Sequence, residues 1–382
     1  MRHVSLALKI RTALCRIAVL ALAFTAVPQG RPTAEPQQAT PLTVTDLRGR
    51  VVRLNAPVNR LLIDDGRFLV ALSLIHSDPV SLLAAWPRDI NRVGQQTYER
   101  YRTRFPRIES VPQVASSAET FSLERALAIR PDVAVFSLGQ GPNDDQLAQF
   151  DAAGIPVVFV DFFNKPFANQ EPSLLLLGRL IGREAKAQEF VSFRRAHLDA
   201  IAKRVASIGS RPKPKVFLEA HAGMSADCCN SPGRGNVGDY INFVGGLNIG
   251  AAVIPGAFGK LNVEYVVSEN PDLYVATGGP HLEKTGGFVV GPGYSVDRSR
   301  KSLSDMAARP VLSTLPAVRN GRVGGLSHQL LNSPVDLLAV EVLAKWIHPD
   351  LFADLDPDRT MSDLNTRFLA VPLEGPLWVS LR

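Results

Sequence analysis

Ser122–Phe136 reads SLERALAIRPDVAVF, and in the second half of the chain Asn262–Ala276 reads NVEYVVSENPDLYVA. In both stretches Pro stands seven residues after Glu and Asp eight, and an apolar run follows. Pro lacks the N–H that a helix interior needs and turns the residue before it toward extended backbone. Each stretch therefore reads as a helix that stops and feeds a buried strand. One helix-to-strand unit used twice predicts a chain of two similar halves.

The flanking sequence fits that plan. Leu61-Leu62-Ile63 is a strand candidate stopped by Asp64-Asp65-Gly66, and Val133–Phe136 and Val157–Val160 are further strand-like runs. Between the last two, Asp144–Ala153 reads as a helix ending at Gly154. Val216–Leu218, Leu273–Ala276 and Arg322–Gly324 read as strands of the second half, and Pro334–Ile347 as one of its helices. Such alternation argues for mainly parallel sheets covered on both faces. Between the halves, apolar residues recur at Ala187, Val191, Leu198, Ile201, Val205 and Ile208 with charges interleaved, the spacing of one helix with one buried stripe. From Glu184 to Ile208 it would span roughly 37 Å, ending at Gly209 before Arg211-Pro212-Lys213-Pro214. The predicted fold is α/β, two lobes with mainly parallel sheets joined by one long rigid helix. The predicted divisions are residues 42–168, 169–209 and 210–382 for first lobe, interlobe helical segment and second lobe.

Composition and the N-terminus narrow the function. The 382 residues suffice for two moderate cores, and 46% hydrophobic with 20% charged residues is ordinary for a globular protein. The formal charge of +6 invites a nucleic-acid reading. Arg2, Lys9, Arg11 and Arg16, however, precede the apolar run Ile17–Phe24, the pattern of a secretory signal peptide over residues 1–26. Its removal leaves a mature chain near +2, which excludes a charge argument for nucleic acid. Residues 27–41, rich in Pro, Gln, Thr and Ala, read as a solvated tether. The chain is therefore expected in the periplasm, as a monomer.

These residues resemble the periplasmic substrate-binding proteins of the iron-siderophore and cobalamin type, which serve ABC importers. Val44-Thr45-Asp46-Leu47-Arg48-Gly49-Arg50 with Pro57-Val58-Asn59-Arg60 is similar to that family's opening hairpin and first strand. The paired Glu-to-Pro-Asp segments, Val244-Gly245-Gly246-Leu247-Asn248, and Ala317–Val323 are similar to its later motifs. The resemblance implies two Rossmann-like lobes joined by a rigid helix, a ligand held between them, and delivery to an inner-membrane ABC permease. It implies no catalysis and no intrinsic cofactor, iron entering only within the transported small-molecule chelate. Carried over by motif, Glu124 and Glu264 would pair with Arg side chains of the permease, as suits two carboxylates at equivalent places on two similar halves.

Ligands of open α/β sheets sit beyond the carboxyl ends of the strands. That rule selects Asp64, Asp65 and Arg67, then Ser137, Gly139 and Gln140, then Asp161, Phe162, Phe163 and Lys165 in the first half. In the second half it selects His221, His281 and His328, three of the six histidines beyond the leader. Imidazole ligates metal or donates to an anionic chelate, and Arg67 and Lys165 would offer cationic donors from the opposite side. Trp86, Tyr98 and Tyr101 are read as apolar walls. Cys228-Cys229 reads as a vicinal disulfide or two cleft-edge thiols in preference to a metal site, adjacent Cα atoms being closer than the usual disulfide range.

The rival readings are weaker. The sequence has neither a Gly-x-Ser-x-Gly elbow nor a dinucleotide fingerprint nor a Walker-type Gly-Lys-Ser, which leaves a secreted two-domain α/β enzyme as the distant alternative. Asp64 and Asp65 are adjacent strand-end residues and point to opposite faces, so they do not make a ready metal pair. Haem, cobalamin or a free zinc or manganese ion remain alternative cargoes.

Overall fold

The structure is a computed structural model that describes residues 40–89, 94–114, 122–139, 141–225, 228–331 and 333–381. The signal-peptide reading and most of the tether lie outside them, as does Gln140. An antiparallel hairpin opens the described chain, β1 (Thr40–Thr45) on β2 (Val51–Ala56), so the strand begins inside the stretch read as tether. Asp46 closes it, its carboxylate accepting from the backbone N–H groups of Arg48 and Arg50 and from the Arg50 guanidinium.

Two parallel sheets follow with the same internal order. The first contains β3 (Leu61–Ile63), β4 (Leu83–Ala85), β5 (Val133–Ser137) and β6 (Val157–Val160), arranged β4-β3-β5-β6. The second is built from β7 (Lys215–Glu219), then, after the short ribbon strand β8 (Asn230–Pro232), β9 (Leu247–Asn248). β10 (Phe258–Lys260) pairs with β8, and β11 (Leu273–Gly278), β12 (Val323–Ser327) and the antiparallel β13 (Trp378–Ser380) complete the sheet as β13-β12-β11-β7-β9. In both halves the opening strand lies between the second and third. β3, β6, β11 and β12 are buried along their length, as strands covered on both faces must be.

The repeat seen in the sequence is a repeat in space. Ser122 and Asn262 cap the helices Leu123–Ile129 and Val263–Glu269 with their side chains. Each helix stops on a left-handed residue, Arg130 (φ 50) and Asn270 (φ 47). The Pro-Asp pair then anchors the strand that follows. The Asp132 carboxylate accepts the N–H groups of Asn59 and Arg60 at 2.9 and 3.0 Å, just before β3. The Asp272 carboxylate accepts that of Lys215 at 2.7 Å, at the start of β7.

The chain passes from the first sheet to the second through the helices Pro166–Leu180 and Glu184–Ala206. The second has 23 residues, two fewer than the periodicity predicts, because Ser207 and Ile208 turn their N–H groups back onto Arg204 and Val205 in a tightened last turn. It buries Ala187, Phe190, Val191, Leu198 and Ile201 and, unusually, Arg194. Arg194 is 1% exposed and bonds both oxygens of Asp336, itself 0% exposed, at 3.2 Å, while its other nitrogen lies 3.4 Å from Glu171. The helix is not the sole connection. Near the C-terminus Ala370 donates to Ser73 at 2.9 Å and Glu374 pairs with Arg100 at 2.6 Å, and one apolar cluster includes Leu61, Phe190, Val216 and Leu338. The segment after residue 368 thus returns across the first sheet's side. Among the described residues no helix is long and apolar enough to cross a membrane.

Two stability predictions follow from buried carboxyls. Asp336→Ala leaves the buried Arg194 with only the long contact to Glu171, and should cost about 3 kcal/mol in urea unfolding, whereas replacing both by Leu and Met should recover most of it. A loss below about 1 kcal/mol for the single variant would show the pair to be idle. Asp64, at the end of β3, ties that strand to β5 by accepting from the N–H and hydroxyl of Ser137 at 2.9 and 3.1 Å. Burial, aided by the Asp65 carboxylate, pushes its carboxyl from 3.8 up to about 8. Between those values the folded state holds the proton that the unfolded chain releases, so this group's contribution falls as pH rises through the window. Asp64→Asn should therefore flatten the loss of stability between pH 4 and 8, and parallel stability curves for the two proteins would contradict this.

Candidate functional site at the facing sheet edges

The carboxyl ends of both sheets border one cavity of about 490 Å³, lined from the first half by Arg67 and Phe163 and from the second by His221, His328, Phe258 and Lys260. Parallel strands end their side-chain ladder at one edge, and loops there are free to differ without disturbing the sheet. A smaller hollow of about 160 Å³ adjoins it on the first half, among Asp65, Ser137, Gly139, Asp161 and Asn164, and Arg67 borders both. The halves meet beside the cavity. The rings of Phe163 and Phe258 stack with centroids 6.2 Å apart, and the Asn236 side chain donates to the Phe163 carbonyl at 2.6 Å.

On the first half the acids are already occupied. Asp65 accepts from the backbone N–H and Nε of Arg67 at 2.8 and 2.9 Å, and from its Nη2 at 2.5 Å. That fork aims the guanidinium along the cavity wall. Asp161 accepts the N–H groups of Phe163, Asn164 and Lys165 and the Asn169 amide, so it shapes the loop after β6. Asp64 turns into the sheet toward Ser137 while Asp65 faces the hollow, the opposite-face arrangement expected of neighbours at a strand end.

The three histidines come together on the second half. His221 Nδ1 lies 2.9 Å from His281 Nε2, and the His221 and His328 rings have centroids 3.8 Å apart. Thr277 joins them from the end of β11: its hydroxyl accepts the His221 N–H at 3.1 Å and sits 3.1 Å from His328 Nδ1. Burial lowers the pKa of His221 to about 4, helped by His281. Burial also lowers that of His281, and takes His328 well below the usual value with the neighbouring imidazoles and Arg67 adding to it. All three are neutral imidazoles at pH 7. Among the described residues, however, no group of three or more His, Cys, Asp or Glu side chains is arranged to hold a metal ion.

Two site expectations need correction. Trp86 is 0% exposed, with Tyr101 at 2%. The Trp86 backbone pairs with Pro112 and Val114, and its ring stacks on Tyr98, so it is core beneath the site rather than a cleft wall. Lys165 is exposed at the start of the helix Pro166–Leu180 and lines neither cavity, because the turn around Asp161 carries it outward. Sequence reasoning missed Phe258 and Lys260: they lie on the three-residue strand β10, too short to carry any periodicity. Glu124 and Glu264 are both exposed in the first turns of the two repeated helices. Cys228 and Cys229 are joined as a disulfide, with Cys229 buried and its carbonyl accepting from Leu261 just after β10.

Comparison with known proteins agrees with this geometry. The TroA-like periplasmic binding protein FepB of Veillonella parvula superposes with a TM-score of 0.81 at 25% identity, over 90% of this chain and 100% of that one. The molybdate periplasmic binding protein MolA of Haemophilus influenzae shares the fold, with a TM-score of 0.66 at 17% identity over 87% of this chain and 99% of its own. An uncharacterized ABC transporter substrate-binding lipoprotein of Bacillus subtilis, YvrC, is 23% identical over 268 residues, 69% of this chain and 74% of that protein. A sequence profile described as periplasmic binding protein matches residues 72–330. The chain belongs to the periplasmic binding protein family, and is a substrate-binding protein of the transport type rather than an enzyme.

Proposed function

We propose that this chain works outside the cytoplasm as the binding component of an ABC importer and that its cargo is a bulky iron complex of the ferric-siderophore class. The observation that carries the reading is the cavity of about 490 Å³ to which both sheets contribute, with aromatic rings from each side and the Arg67 and Lys260 cations at its wall. A cargo of that size is gripped by apolar area and oriented by a few polar groups. The iron travels as part of the ligand. Docking to the inner-membrane permease falls to Glu124 and Glu264, whose matched positions suit a partner with two similar halves. Interfacial charges of this kind set register and association rate more than affinity.

A thermal-shift screen tests the cargo. Ferric hydroxamate or catecholate complexes should raise the unfolding temperature, a ligand at 100 times its Kd adding about 2.7 kcal/mol. Haem, cobalamin, molybdate and bare zinc or manganese should add much less, and a larger shift from any of these would displace the reading. For docking, the Glu124→Arg/Glu264→Arg double variant should bind the same complex with unchanged affinity and lose its import. Normal import would remove the two carboxylates from the interface.

A further inference from the structure

We propose that the bridge between Cys228 and Cys229 is a thiol-reversible latch on the cavity wall: a dithiol that opens it frees the ribbon carrying Phe258 and Lys260, and the cargo is then held less tightly. The latch stands on the geometry of the ribbon, while its effect on cargo rests on the importer reading above.

A disulfide that joins neighbours does not act as a staple. The stabilisation gained by cross-linking grows with the length of the loop closed, and Cys228 and Cys229 have no residue between them. What such a bridge constrains is the backbone of the pair itself, and that pair leads directly into β8. Cys229 is buried in the apolar cluster that holds Ala222, Leu261 and Phe288. Its carbonyl accepts the Leu261 N–H at 3.0 Å, one step beyond the register in which Asn230 of β8 faces Lys260 of β10. Asn230, Phe258, Gly259 and Lys260 line the cavity. The bridged pair is thus the rung of the ribbon next to the cavity-lining one.

The ribbon is held differently at its two ends. At the far end the Asn248 amide donates to the carbonyls of Pro232 and Gly233 at 3.0 and 2.9 Å. Gly233 and Gly250 pack so closely there that a Cβ on either would lie 2.2 Å from a carbonyl oxygen, of Gly256 and Pro232 respectively. At the near end the Ala220 N–H donates to the Asn230 carbonyl at 2.7 Å and the Leu261 N–H to that of Cys229, so both acceptors depend on where the bridged backbone puts them. Opening the bridge releases that end and leaves the other pinned, which makes Phe258 and Lys260 the mobile part of the wall. The half-buried Cys228 sulfur takes the attack, Cys229 being buried. One thiolate of the dithiol bonds to Cys228 Sγ as the bond between the two cysteines breaks, and Cys229 leaves as a thiolate and takes up a proton. The second sulfur of the dithiol then displaces Cys228, which leaves as a thiol with the proton that sulfur gives up. Two electrons and two protons pass to the protein, and the dithiol departs as its own disulfide.

Amide hydrogen exchange and ligand affinity, measured on the purified protein before and after dithiothreitol without denaturant, test the latch. Peptide mapping after alkylation should find Cys228 and Cys229 modified only after the dithiol. The Ala220 and Leu261 amides should then exchange at least ~10-fold faster, a local opening, while those of β5 and β6 in the first sheet keep their rates. Reoxidation should restore slow exchange, and the Cys228→Ser/Cys229→Ser double variant should match the reduced protein and ignore the dithiol. Iron(III) tris-catecholate should bind the reduced protein at least ~5-fold more weakly, the cost of ordering a loosened wall. A bridge that resists the dithiol in the folded protein, unchanged exchange at Leu261 after full reduction, or equal acceleration in both sheets would each overturn the latch. Local loosening with equal affinity in the two forms would overturn its action on cargo. Local loosening with no tris-catecholate bound by either form, and haem or cobalamin bound instead, would overturn the ferric reading and leave the latch standing.

Discussion

A guanidinium buried to 1% exposure cannot be left without anions, and Arg194 finds them on two other elements. Asp336 stands at the head of the helix Leu337–Ile347 in the second half, and Glu171 lies on the helix that leaves the first. The long helix between the sheets is therefore fixed to both neighbours at one point of its length and in one rotation. Its apolar stripe would by itself tolerate sliding, since dispersion and burial are nondirectional. The ion cluster supplies the direction. The spacing of the two sheet edges, and with it the width of the cavity, follows from that fixed helix and from the C-terminal segment that returns to Ser73 and Arg100.

The two edges share a backbone plan and differ in chemistry. β3 and β7 occupy the same place in their sheets, yet one is followed by Asp64-Asp65 and the other by Ala220-His221. β6 and β12 are likewise equivalent, one followed by Asp161 and the other by His328. A duplicated scaffold thus presents carboxylates, largely spent on loop geometry and on Arg67, opposite imidazoles that remain neutral. The fold demands only that the strands end there. What stands beyond them is free to change with the cargo.

Much of this was legible in the sequence for a definite reason. The Glu-to-Pro-Asp stretches are readable because Pro and a strand-leading Asp have positional meaning, and both Asp side chains do pin the strand pairs. The long helix is readable because its burial is periodic. The strand after Arg322 is misplaced by the sequence, which puts it at Arg322–Gly324 rather than Val323–Ser327. Its glycines carry no propensity signal, and the reason for Gly325, a ring of Phe288 that would lie 2.3 Å from any Cβ, is tertiary. Trp86 and Lys165 failed for a related reason: residue type marks what a side chain can do, whereas the side of a loop it emerges from is set by neighbours far away in sequence, here Pro112 and Asp161. The histidines were placed on one rim by counting strands, but their mutual contact depends on the left-handed turn at His221, which a histidine does not announce.

Charge balance then limits how such a cavity can discriminate. A wall rich in uncompensated cations would take any anionic chelate, gaining rate and affinity from the field alone. Here Arg67 is paired with Asp65 before a ligand arrives and burial lowers the proton affinity of the histidines, so that Lys260 is the wall's other cation. Discrimination then rests mainly on short-range contacts that depend on atomic placement: the faces of Phe163 and Phe258, the Arg67 fork, and the His221 and His328 rings at the wall. Those contacts are contributed by both halves. A cargo that engages only one edge forfeits the rest, so selectivity and the joining of the two halves are consequences of the same geometry, the one that Arg194 holds in register.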